Sequence, residues 1–130
     1  MCDKSPRHVR VLLTVLALAG FAYGVADGAW LHSVPARDRE RINPFHGQPE
    51  AIDAGRRVFA DHCAQCHGQN AEGKKKHPSL RSSRVQREAT EGDLHWLLVN
   101  GNMRKGMPSW SKLGDPQIWQ VISYVKSLHD

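Results

Sequence analysis

The stretch CAQCHG, Cys63 to Gly68, decides how the rest of the chain is read. It sets two thiols three residues apart, puts an imidazole directly after the second, and follows that with glycine. A plain disulfide across so short a span would leave His67 without a purpose. A thioredoxin-like redox pair needs its cysteines at a helix N-terminus after a strand, whereas here they follow a helical pattern and no strand–helix alternation exists. Structural zinc would need further ligands at suitable spacing, and no second CxxC or HxxxH is present. CxxCH is the spacing at which two sulfurs form thioethers to the two vinyl groups of one haem while the adjacent histidine ligates its iron. The motif is read as a haem attachment site made of Cys63, Cys66 and His67.

Three helical patterns surround the motif, and no alternating pattern is long enough to suggest a sheet. The first covers about Pro49 to His62, with Pro49 in the first turn, Glu50 and Asp53 near the positive end, and Ile52, Gly55, Phe59 and Cys63 in one stripe. Gly55 costs about 1 kcal/mol relative to alanine inside a helix, which predicts that another backbone comes close there. The second begins at Thr90 with Asp93 as a capping-box partner, carries Leu94, Leu97 and Leu98, and stops at Asn100-Gly101. The third has Asp115 as the expected N-cap and Pro116 at the first helical position, then Ile118, Val121, Ile122, Val125 and Leu128 on one face. Three short helices in about 80 residues bury too little apolar area to be comfortably stable, and an apolar cofactor would supply the missing core.

Upstream, Lys4, Arg7 and Arg10 precede an uncharged run from Val11 to Ala26. Residues 1–31 are therefore expected to be an export signal cut after Gly24-Val25-Ala26, or a membrane anchor extended through Trp30 as an interfacial aromatic. Either way the remainder is exported into an oxidising compartment, and Cys2 is an incidental thiol left behind. Residues 32–48 carry mixed charge with Pro35 and Pro44 and no hydrophobic period. They are expected to be a flexible linker, able to reach on the order of 50 Å when extended.

Across 130 residues, 18 Lys+Arg against 13 Asp+Glu give a formal charge of +5, and the N-terminal bases account for part of it. Such a balance does not suit a nucleic-acid binder. Lys74 to Lys76, Arg104, Lys105 and Lys112 are candidates for steering an acidic partner.

From about Ala51 to Leu128 the chain resembles class I c-type cytochromes, through Gly55 and Phe59, CAQCHG, HPSL (77–80), NGNMRKGMPSW (100–110) and WQVISYVKSL (119–128). The resemblance implies an all-α fold: a small domain, residues 49–130, of three main helices wrapped around one covalently bound haem c, with the first and last helices crossing at Gly55 and Tyr124. It implies Met107, which precedes Pro108 and an aromatic, as the sixth ligand in preference to Met103. Proline fixes the backbone beside the ligand and Gly106 lets the chain pass close to the ring. His77 is the rival ligand, ten residues after His67. The resemblance further implies that the Pro78 carbonyl accepts a hydrogen bond from His67, and that Leu80 and Trp110 pack in the haem pocket. Trp96 is a second aromatic candidate for that packing.

The implied function is electron transfer without enzymatic activity of its own, since both axial positions of iron are filled by His67 and Met107. Redox partners would be a periplasmic dehydrogenase and a membrane oxidase or reductase, on the periplasmic side of a bacterial inner membrane. Two other readings stay open at this point: a haem subunit docked in a larger dehydrogenase or oxidase, and a haem enzyme or gas sensor with a labile methionine.

Overall fold

The structure is a computed structural model that describes residues 29–129. The proposed signal or anchor therefore lies almost entirely outside the described residues. Among those described, no helix is long and apolar enough to cross a membrane.

Five α-helices follow in chain order: α1 (Ala36–Arg39), α2 (Pro49–His62), α3 (Ala64–His67), α4 (Glu91–Asn100) and α5 (Asp115–Lys126). Short 3₁₀ turns at Ala29–Ser33, Met103–Lys105 and Ser111–Leu113, and a wide π-helical turn at Arg84–Glu88, join them. Among the described residues the only β features are two isolated bridges, Lys74 with His77 and Asn102 with Met107. The expected all-helical architecture is what the structure displays.

Helices α2 and α5 form the main crossing. A Cβ built on Gly55 would collide with the carbonyl oxygen of Gln120 and press on Cβ of Tyr124. The glycine is thus explained by backbone approach, as its cost in the sequence implied. One turn further, the Phe59 and Tyr124 rings meet at 5.3 Å between centroids, tilted by 57°. Burying Phe59 almost completely contributes on the order of 2–3 kcal/mol. Ile118, Trp119, Val121, Ile122 and Val125 of α5 complete this side of the core.

Helix α4 starts with the capping box the sequence announced: the Asp93 amide donates to Thr90 Oγ1 at 3.0 Å, and the Thr90 amide to Asp93 Oδ2 at 2.8 Å. The start of α5 differs from expectation. Gly114, with φ of 80°, holds the cap position, and no side chain caps the helix. Asp115 instead turns its carboxylate to Arg41 and His95, each at 3.0 Å or less. Near the other end, Lys126 Nζ donates to the carbonyls of Val85, Gln86 and Ala89 at 3.0, 2.7 and 3.0 Å, closing the π-helical turn onto α5.

Residues 32–48, expected as a flexible linker, instead lie along α4 and α5 as a strap. Val34 is buried, and α1 runs backbone to backbone against Gly92. Asn43 is 2% exposed, and its Nδ2 donates to Glu91 Oε1 at 3.0 Å, to Ser123 Oγ at 2.9 Å and to the Trp119 carbonyl at 3.3 Å. Arg39 Nε donates to Asp93, itself 1% exposed, at 3.0 Å. Two of the charges that made the segment read as solvated, Arg39 and Arg41, are engaged by Asp93 and by Asp115. Trp30, expected as an interfacial aromatic of an anchor, and Leu31 pack against the core.

Candidate functional site

Helix α2 ends at Cys63, whose amide bonds to the Phe59 carbonyl at 2.8 Å, and the single turn α3 continues from it. The His67 amide donates to the Cys63 carbonyl at 2.9 Å, so the turn projects Cys63, Cys66 and His67 toward one cavity while Ala64 is buried behind them. Gly68, at φ of 85°, ends the turn. Both thiols are free. Burial, and secondarily the neighbouring Cys66, raise the Cys63 pKa to about 11.

The next loop folds back under His67. Its carbonyl accepts from the Gly73 amide at 2.7 Å, and Leu80 donates to the Ala71 carbonyl at 2.9 Å. This brings the Pro78 carbonyl to 2.9 Å from His67 Nδ1. A carbonyl only accepts, so Nδ1 carries the proton and Nε2 keeps its lone pair. Burial holds the His67 pKa below the usual range, the Pro78 bond partly opposing it and the charge of His77 adding to it. The histidine is thus held as a neutral imidazole with its Nε2 lone pair available.

The chain from α4 to α5 forms a second wall. Asn102 and Met107 exchange both backbone hydrogen bonds, at 2.8 and 3.0 Å, around the turn Met103–Lys105 and Gly106, whose φ is 78°. This hairpin separates the two methionines: Met103 is 74% exposed, while Met107 lines the cavity. Gly101 lies against the backbone of Met107 to Ser109, so a side chain there would displace the methionine strand. The Trp110 amide is held by the Leu98 carbonyl at 2.7 Å, and its ring lies 5.5 Å from that of His62.

The cavity therefore gathers Cys63, Cys66, His67, Pro78, Leu80, Met107 and Trp110. His77 also lines it, with its ring centroid 6.2 Å from that of His67. Trp96 does not; it lines a neighbouring cleft. Sequence reasoning missed Val85, Leu97, Val121 and Val125 as cavity lining. Helical spacing marked Leu97, Val121 and Val125 as apolar without telling core from pocket, and Val85 lies outside every helix read from the sequence. Outside the cavity, His95 is 2% exposed and stacks on Trp119 at 4.2 Å, a buried histidine that sequence reasoning did not single out.

The space between these walls measures about 150 Å³, and nearly all of its lining is carbon. That suits a flat apolar ring. Two free thiols at the rim, a neutral imidazole with Nε2 unengaged and a thioether sulfur are the donors a covalently attached haem requires. The residues present fit the group.

Comparison with known proteins agrees with this geometry. Residues 50–125 match the family described as cytochrome c oxidase, cbb3-type, subunit III. The subunit CcoP of the cbb3-type cytochrome c oxidase of Rubrivivax gelatinosus is 33% identical over 81 residues, which is 62% of this chain and 27% of that protein. Cytochrome c550 of Pseudomonas aeruginosa is 29% identical over 93 residues, 66% of this chain and 61% of its own length. Among solved structures, cytochrome cL of Methylophaga aminisulfidivorans superimposes with a TM-score of 0.56 at 27% identity, over 66% of this chain and 58% of that one. The chain thus spans only about a quarter of the oxidase subunit it matches.

Proposed function

Since this chain belongs to the cbb3-type cytochrome c oxidase subunit III family of c-type cytochromes, we propose that it carries single electrons by way of one haem c. The haem would be joined covalently to Cys63 and Cys66 and ligated by His67 and Met107. When bound, that group supplies a one-electron ferric/ferrous couple. The protein's residues do the rest. Pro78 fixes the His67 ring and keeps Nε2 available. Met107 offers a soft, neutral sulfur, which favours the reduced state and raises the potential relative to a second histidine. Leu80, Trp110 and the apolar faces of α4 and α5 exclude water.

The observation that carries this reading is the convergence of Cys63, Cys66, His67 and Met107 on a single apolar cavity, with His67 Nδ1 already engaged. Met107 is favoured over His77 because the Pro78 carbonyl, one residue from His77, backs the Nδ1 side of His67, away from Nε2. We place the haem domain at residues 49–130, with residues 1–31 as signal or anchor. The domain would work on the periplasmic side of a bacterial inner membrane, between a dehydrogenase and an oxidase or reductase. Production in a host equipped for haem attachment tests it: the intact mass should carry one haem, and a colourless protein would end the proposal.

A second reading is favoured by the family match itself, whose description is that of an oxidase subunit. Here the chain would be a docked component of an oxidase or dehydrogenase rather than a free shuttle. Native isolation followed by gel filtration separates the two, by migration with a large complex or near the mass of the single chain.

A further inference from the structure

The family match begins at residue 50, yet the site has a wall built from residues ahead of it. A cleft beside the apolar cavity is lined by Trp30, Ser33, Trp96, Asn102, Arg104 and Lys105. Pro78, Leu97 and Met107 line both spaces. Pro78 backs His67 and Met107 carries the opposing sulfur, so a cleft touching both continues the slot between them sideways. Neither Cys63 nor Cys66 lines it.

The chemistry of haem gives this placement a meaning. Its two vinyl groups sit on one half of the ring and its two carboxylate arms on the other. Fixing the vinyl edge at Cys63 and Cys66 turns the carboxylates away from the motif, toward the cleft. There the lining changes from almost wholly carbon to two cations, an amide, a hydroxyl and two indoles. Partly buried carboxylates need such donors.

Trp30 reaches the cleft because its turn is fastened. The carbonyl of Leu31 accepts from Arg39 Nη2 at 2.6 Å, and the same guanidinium holds the buried Asp93. Val34 is buried just behind, and Trp30 and Leu31 pack on the core. The Ala29–Ser33 turn is therefore a fixed wall of the cleft.

We propose that Trp30 and the Ala29–Ser33 turn close the carboxylate edge of the haem site, a wall added outside the family's matched region that shields this edge from water and reagents. This inference rests on the haem reading above. Its test uses the full-length, haem-loaded protein in the reduced, diamagnetic state. Nuclear Overhauser contacts between the Trp30 ring protons and the methylene protons of the haem carboxylate arms are expected. In addition, carbodiimide-driven amidation of the haem carboxylates, read from the mass of the haem peptide spanning Cys63 to Gly68, should run severalfold faster in Trp30→Ala and return toward the original rate in Trp30→Phe. Arg39→Gln, which releases the Leu31 carbonyl, should accelerate it as well. A haem-loaded protein with no such contact and equal amidation rates in all variants overturns the inference and leaves the haem reading standing. A colourless protein overturns both.

Discussion

The carbonyl oxygen of Gln120 stands where a side chain on Gly55 would begin, so α2 and α5 touch through bare backbone. A methyl group at this point cannot be relieved by turning a flexible side chain, because the obstacle is main chain. Gly55→Ala should therefore destabilise the protein by about 1–3 kcal/mol or more through overpacking, outweighing the roughly 1 kcal/mol gain in helix propensity. Denaturant unfolding of the haem-loaded protein measures it, and a stabilised variant would contradict the crossing.

Met103 and Met107 lie on opposite sides of one small hairpin, and only Met107 lines the cavity. Met107→Ala should lower the reduction potential, abolish the absorption band of thioether-ligated ferric haem and admit carbon monoxide at neutral pH. Met103→Ala should leave spectrum and potential nearly unchanged. The opposite pattern would reassign the ligand.

Replacing Cys63 and Cys66 together by alanine should remove covalent haem and leave the domain largely unfolded by circular dichroism. The cavity walls from α2, α4 and α5 would otherwise face empty apolar space. A well-folded, haemless double variant would show that the cofactor is not part of the core.

His95 lies between Arg41 and Asp115. Arginine only donates and a carboxylate only accepts, so Nδ1 takes a hydrogen bond from Arg41 at 2.9 Å and Nε2 gives one to Asp115 at 2.9 Å. Burial lowers the His95 pKa from 6.5; the Asp115 hydrogen bond raises it, the Arg41 charge lowers it, and the charges of Asp115 and Asp38 raise it. The unfolded chain thus takes up this proton at higher pH than the folded one. Stability from this site is complete above pH 6.5 and declines as pH falls below that value. His95→Gln should flatten the pH dependence of the unfolding midpoint between pH 5 and 7; an unchanged slope would exclude His95 as its source.

Asn43 ties the strap to both α4 and α5 from a buried position. Asn43→Ala should cost about 1–3 kcal/mol, because its partners lose a donor they cannot all recover from water. It should also speed tryptic cleavage at Arg37, Arg39 and Arg41. A freely moving tether would respond to the change in neither assay.

The parts legible from sequence were those written in short range. CAQCHG, the Thr90–Asp93 box, Gly55 and the Met107-Pro108 pair each declare themselves within a few residues; the box and the glycine have their expected place, and the other two line one cavity. The strap was illegible because its contacts join residues 45 to 80 positions apart: Arg39 with Asp93, Asn43 with Ser123, His46 with Glu91. Mixed charge looks the same whether it faces water or a partner. Asp115 fitted the local grammar of a helix cap, but the tertiary pull of Arg41 and His95 took its carboxylate elsewhere.

Lys126 has a use of its own in mapping experiments. All three of its N–H bonds end on carbonyls of the Arg84–Glu88 turn and its exit, whereas Lys74, Lys75 and Lys76 are exposed. Acylation of that half-buried amine requires those hydrogen bonds to break first. Its slow labelling beside fast labelling of the exposed trio would clock local opening, and would separate protection by a bound partner from protection already present in the free protein.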